Sequence, residues 1–271
     1  MTETARPKGR PRSAAVPAEP TVQALDRAIA LLELVAARPG MTLSDLALQT
    51  GQPIASTYRA LVTLQARGMV EIEEPGASWH IGPAAFRLGA AFRRRSGLEA
   101  RARPILAALA AELGETASLG IESDGRLLVL AQAEAVKPIR ATFPPGSFAP
   151  LNAAAAGKAI LAHTDADRVE EILEHQGLPR ETSLTITSPD TLLRELSRIR
   201  ERGFALDDQE QAEGMRAVAA PVFDARGLAI AAIAVTGPAF RFGLSDATRL
   251  GPRLAAEALR LTDALGGSAP D

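Results

Sequence analysis

The stretch TLSDLALQTGQPIASTYRALVTLQARGMVEI, residues 42–72, constrains the fold more than any other part of the chain. Thr42 and Asp45 stand at capping-box spacing, Leu43, Leu46 and Ala47 form an apolar stripe, and Gly51 stops the short helix so defined. A turn, Gly51-Gln52-Pro53, follows, and apolar residues recur at helical spacing again from Ile54 to about Arg67. Two helices joined this tightly make a helix-turn-helix. Two short strands, Met69–Glu73 and Trp79–Ile81, are expected next around Pro75-Gly76, and they would form a wing. Upstream, TVQALDRAIALLELVAA places Val22, Leu25, Ile29, Leu32 and Val35 on one face of a first helix, which ends at Arg38-Pro39-Gly40.

The second helix of the motif has two unlike faces. Stepping about 100° per residue, Ile54, Tyr58, Leu61 and Gln65 share a face with Val62 beside them, whereas Ser56, Arg59 and Thr63 point the other way. Small hydroxyls and a single arginine let a helix sink into the major groove, where arginine pairs bidentately with guanine and free N–H groups at the helix start meet phosphate. The candidate DNA contacts are Gln52, Ser56, Thr57, Arg59 and Thr63, with Ser78 and His80 of the wing along the sugar-phosphate backbone. His80 has a structural role as its alternative. A polar outer face also occurs on helix-turn-helix units that only pack, so this face alone leaves both readings open.

Charge has to be judged locally, because 30 basic against 32 acidic residues leave the chain at −2 with a pI of about 6.0. Residues 1–20, MTETARPKGRPRSAAVPAEP, are rich in proline and small residues, carry four basic side chains and lack periodicity; they read as a disordered arm. Within it, KGRPR resembles an AT-hook core, which would put Arg10 in a narrow A·T minor groove; a solvated basic tail is the other reading. The absence of cysteine excludes disulfides and thiolate metal sites. No apolar run approaches the roughly 18 residues of a membrane span, so a cytoplasmic protein with no membrane association is expected.

After the wing, residues 83–100 read as a linker helix with Phe86, Leu88, Ala91 and Phe92 apolar and Arg93, Arg94 and Arg95 near its end. Residues 101–266 then alternate helices and hairpins. TASLGIESDGRLLVLAQAE predicts two strands about Asp124-Gly125, and RAVAAPVFDARGLAIAAIAVTG predicts two more around Ala225–Gly227. Helices are expected after Thr164, which with Asp167 has capping-box spacing, after Ser188-Pro189, and from Ser245 to Leu265. The pattern predicts an α+β fold: an antiparallel sheet with helices packed on one face. Residues 267–271 form a tail.

Enzyme signatures are missing. AAAAGKAI lacks the earlier glycine and the hydroxyl after Lys158 that a P-loop needs. His80, His163 and His175 have no metal-ligand spacing, and Asp207, Asp208 and Glu210 form an acidic cluster with no histidine or serine elbow beside it. Neither catalysis nor a cofactor or metal is expected.

The segments LDRAIALLELVAA, TLSDLALQTGQPIASTYRALVTLQARGMVEI and WHIGPAAFRLGAAF, followed by PLNAAAAGKAILA, RGFALDDQEQAEGMRAVAAPVFD and AIAAIAVTGP, together resemble an IclR-type transcriptional regulator from Thr21 to about Leu265. The resemblance implies a winged helix-turn-helix over residues 21–82 and a GAF-like effector-binding domain over 101–266. It also implies homodimers or homotetramers on a palindromic operator in double-stranded DNA. By position it implies an effector pocket at Ala156, Gly157, Asp207, Ala217, Ala234 and Thr236. Ala217 and Ala234 stand where the family often has cysteine and serine, and Asn152 and Ala154 where it often has histidine and threonine. A drier pocket follows, suited to a hydrophobic or aromatic carboxylate. The alternative to effector control is an architectural DNA binder whose C-terminal domain only oligomerises.

Overall fold

The computed structural model describes residues 22–75, 77–134 and 143–270, and of residues 93–96 the backbone only. These residues divide into two compact units, one ending at Phe92 and one beginning at Arg93.

In the first unit, helix α1 (Gln23–Ala37) precedes strand β1 (Met41–Thr42), α2 (Leu43–Thr50), α3 (Ile54–Ala66), and the hairpin of β2 (Val70–Glu73) and β3 (Ser78–Ile81). Thr42 and Asp45 form the expected capping box, and Gly51 ends α2 with a left-handed φ of 63° that a side chain would resist. The strands assemble in the order β1-β3-β2, with β1 too short to be read from sequence; it is held by pairing Met41 with Trp79. Leu31, Val35, Leu46, Leu61, Val70 and Trp79 form the core.

Two expected helix faces need correction. On α1 the core takes Leu31 and Val35, while Val22, Leu25 and Ile29 stay exposed. On α3 it takes Thr57 and Leu61, with Ala60 and Leu64 half-buried, and leaves Ile54, Tyr58 and Val62 outside. The inward arc is centred between Thr57 and Leu61, because α2 and α1 meet α3 there; apolar periodicity alone fixes a stripe but not which neighbour covers it.

Helix α4 (Pro83–Ser96) is followed by α5 (Leu98–Leu113), so the helix expected to run through residue 100 stops where Gly97 adopts φ 63°. The second unit is built on a six-stranded antiparallel sheet of order β6-β5-β4-β9-β8-β7. Its strands are β4 (Thr116–Ser123), β5 (Arg126–Ala133), β6 (Phe148–Pro150), β7 (Ala205–Asp208), β8 (Met215–Phe223) and β9 (Ala229–Pro238), and its other helices are α6 (Ala155–Leu161), α7 (Ala166–Gln176), α8 (Pro189–Arg202) and α9 (Leu244–Ala264).

Helices cover both faces of this sheet, not one. Val218, Ala220, Val222, Ile233 and Val235 pack with α5 and α9, while Ala217, Ala219, Ala232 and Ala234 pack with α6, α7 and α8. Strands buried on both sides need apolar residues at every position, which is why β8 and β9 read as continuous apolar runs. The α7 cap also differs: Asp165 holds the N-cap position, and the Thr164 hydroxyl donates back to the Ile160 carbonyl at 3.0 Å.

Candidate DNA-reading helix and effector site

Arg59 and Ser56 lie exposed on α3, and Arg59 makes no ion pair among the described residues. Thr63 is exposed too, with its hydroxyl donating to the Arg59 carbonyl at 2.8 Å. Gln52 occupies the turn half-buried, its amide reaching the Arg27 carbonyl at 3.5 Å. The residues of α3, IASTYRALVTLQA, include no acid that would repel phosphate.

Of the expected DNA contacts, Thr57 is not available, and Ser78 and His80 are engaged with neighbours in the wing. Thr57 is 0% exposed, with its hydroxyl donating to the Pro53 carbonyl at 3.2 Å; it is a core residue. Ser78 and His80 bond to one another at 3.2 Å, and the same His80 Nε2 lies 3.1 Å from the Glu73 carboxylate. These contacts brace the hairpin, with His80 half-buried and Glu73 exposed. Arg10 lies outside the described residues, as do the side chains of Arg93, Arg94 and Arg95.

In the second unit, strand pairing and the packing of α6 bring Ala156, Asp207, Ala217, Ala234 and Thr236 to one region. Cross-strand pairing joins Asp207 to Ala217 and Ala217 to Thr236, and aligns Ala219 with Ala234 one step along. Paired residues share a face, and Ala217 and Ala234 put that face beneath α6, which carries Ala156 and Gly157. All seven residues of α6 are buried. Gly157 instead packs against the segment before the helix, where a Cβ would come within 2.4 Å of the Leu151 carbonyl oxygen.

The polar heart of this region was only half visible in the sequence. The acidic cluster separates into three fates. Asp208 accepts from Arg216 at 2.6 and 2.8 Å. Asp207, 2% exposed, caps the following turn by accepting from the Glu210 and Gln211 amides at 2.6 and 3.3 Å. Glu210 forms an ion pair with Lys158, which is 1% exposed. Lys158 went unassigned in the sequence, where the signal was one charge inside an otherwise apolar helix. The segment 179–187 closes around the cluster: Thr185 and Thr182 donate to the carbonyls of Glu210 and Gln209 at 2.6 and 2.8 Å, and Asn152 donates to the Pro179 and Ile186 carbonyls at 3.1 and 2.9 Å.

Burial dominates the electrostatics here. It pushes the Asp207 carboxyl up to about 7, against the opposing pull of the Lys158 ammonium. It raises Glu210 as well, again with Lys158 opposing. One Glu210 oxygen, Oε2, is buried without a hydrogen-bond partner among the described residues, so the cluster holds an unsatisfied acceptor next to a carboxyl that is readily protonated.

A winged helix-turn-helix with an acid-free outward helix, carried on the same chain as an α/β domain with a buried ionisable site, defines a DNA-binding transcriptional regulator. Residues 24–74 match the IclR helix-turn-helix domain, and residues 91–262 match the bacterial transcriptional regulator IclR C-terminal domain. The chain belongs to the IclR family of transcriptional regulators. It is 45% identical over 251 residues to the HTH-type transcriptional regulator BhcR of Paracoccus denitrificans, covering 91% of this chain and 89% of that one. The crystal structure of an IclR transcriptional regulator from Alicyclobacillus acidocaldarius superposes with a TM-score of 0.80 at 26% identity, covering 91% of this chain and all of that one, 100%. An IclR homolog from Microbacterium hydrocarbonoxydans, solved in complex with 4-hydroxybenzoate, shares the fold at 20% identity and a TM-score of 0.77, over 89% of this chain and 99% of that one.

Proposed function

We propose that this regulator acts in the cytoplasm as a homodimer or homotetramer, binding a palindromic operator through α3, with its affinity set by a small molecule held between α6 and strands β7–β9. The observation that carries the DNA reading is Arg59, exposed and without an ion pair among the described residues on a helix with no acidic side chain. Arg59 contacts a base edge, Ser56 and Thr63 bond beside it, and Gln52 lies near the backbone. Exposed Leu25 and Ile29 on α1, Val22 just before it, and Phe86 on α4 support self-association.

The effector is a carboxylate with a hydrophobic or aromatic body. Ala156, Ala217 and Ala234 supply an apolar lining, Lys158 supplies the cation, and Asp207 in its neutral form can donate to an acid oxygen. That 4-hydroxybenzoate occupies a protein of the same fold agrees with this class. The protein binds its effector without turning it over. An effector changes operator affinity only by favouring one arrangement of the protein, and the coupling is reciprocal.

Calorimetric titration with benzoate, 4-hydroxybenzoate, pyruvate and glyoxylate, paired with operator-binding curves, tests this reading. Binding of the aromatic acids with a matching change in DNA affinity is expected. Tight binding of glyoxylate or pyruvate alone would reject the effector class, and operator affinity that no ligand moves would favour an architectural role.

A further inference from the structure

Helix α3 carries a second exposed strip that the polar contacts leave unused. Ile54, Tyr58 and Val62 are 56, 53 and 40% exposed, and their spacing of four places them in one row along the helix. At about 100° per residue, the Val62 end of this row approaches Arg59 from one side while Ser56 and Thr63 flank it on the other. Ala55, also exposed, fills the space between Val62 and Arg59. The outward surface is therefore half apolar, half polar, with the arginine between.

A row of large apolar side chains on a rigid helix is costly to leave in water. Its position says what covers it. Val62 and Tyr58 lie about 60° and 100° round the helix from Arg59, so a groove that wraps α3 and seats the guanidinium on a base edge also meets them, whereas Ile54, about 140° away, lies on the far side. The absence of acidic residues on α3 suits a polyanion and gives a basic protein surface no partner. In the major groove, phosphates and most base-edge groups are polar, and the apolar feature is the 5-methyl group of thymine.

We infer that Tyr58 and Val62 read thymine 5-methyl groups, so that α3 selects thymines flanking the guanine met by Arg59. This rests on the operator-binding reading above and adds the bases that the operator must contain. Arg59 supplies the hydrogen-bonded contact, and the apolar row supplies a contact that cytosine, lacking the methyl, cannot satisfy.

The test removes the methyl and nothing else. The tightest duplex retained from genomic fragments by the full-length protein is resynthesised with each thymine in turn replaced by uracil, which keeps base pairing. Wild-type affinity is expected to fall about fourfold at each contacted position, the worth of one buried methyl-sized group. Val62→Ala should abolish the thymine-to-uracil difference at one position while keeping guanine selectivity. Because the first comparison changes only the DNA, protein misfolding cannot imitate it.

Equal binding of every uracil duplex overturns the inference, as does a retained half-site without thymine. So does a change of oligomeric state in Tyr58→Ala or Val62→Ala with thymine discrimination intact, which assigns the row to a second copy of the chain. Retention of no DNA at all is a separate result: it removes the operator reading and this inference with it.

Discussion

Lys158 of α6 and Glu210 of the turn after β7 form an ion pair inside the C-terminal unit, with the lysine side chain 1% exposed. Removing the cation strands a buried carboxylate next to Asp207. Lys158→Met is expected to destabilise this unit by about 3 kcal/mol, read as lost hydrogen-exchange protection in β7 and β8. Lys158→Met combined with Glu210→Met should recover most of the loss. Equal losses in the single and double variants would show that packing, not charge pairing, is responsible.

Asp207 makes the stability of the same unit pH-dependent. Its folded-state value of about 7 lies above the ordinary 3.8, with burial as the main cause. The folded state therefore holds more protons than the unfolded state between about pH 4 and pH 7, and stability declines as pH rises through that window, then levels off. From pH 5 to pH 8 the wild-type unit should lose roughly 2–3 kcal/mol from this group. Asp207→Asn keeps an oxygen for the Glu210 amide and should remove that part of the slope in urea titrations at the two pH values. A variant with an unchanged slope would refute the assignment.

Arg59→Ala should cost about 1–3 kcal/mol at one guanine of the operator and relax selectivity there, with little effect on random DNA. Competition binding against random duplex measures both. Equal losses on the two DNAs would make Arg59 a phosphate contact.

Deleting residues 1–20 removes Arg6, Lys8, Arg10 and Arg12. Affinity for all sequences should fall, and the salt slope should drop by about 0.9 for each phosphate no longer neutralised. A slope unchanged by the deletion would show that the arm does not touch DNA. A loss confined to sites with A·T flanks would place Arg10 in the minor groove.

Thr57 and Ser56 are neighbours in sequence with opposite surroundings. Thr57→Ala should destabilise the N-terminal unit by about 1–2 kcal/mol through its lost hydrogen bond and packing. Ser56→Ala should leave stability unchanged and weaken operator binding. Trp79, buried in that core and the chain's single tryptophan, reports the unfolding by fluorescence. Weaker binding without destabilisation in Thr57→Ala would contradict its burial.

Much of the architecture was legible because local rules set it. The Thr42–Asp45 box, the Gly51 stop, and the hairpins about Asp124-Gly125 and Ala225–Gly227 depend on residues within a few positions of each other. Strands β6 and β7 were not legible: three and four residues long, at the sheet edges, they exist through pairing with distant partners. Helices on both sheet faces were missed although the continuous apolar runs of β8 and β9 allow them, since such runs do not say how many faces are covered.

The site divides the same way. The sequence by itself determined that α3 carries an arginine and small hydroxyls, that Ala217 and Thr236 sit in the two strands of one hairpin, and that the chain resembles a known family of regulators. Only the tertiary structure decided that Thr57 turns inward while Tyr58 and Val62 turn outward, that His80 leans on Glu73, and that Lys158 meets Glu210 across 52 residues. A helical or strand period assigns side chains to stripes. Which stripe is buried, and which charges end in a shared low-dielectric interior, depends on the elements packed against it from elsewhere in the chain.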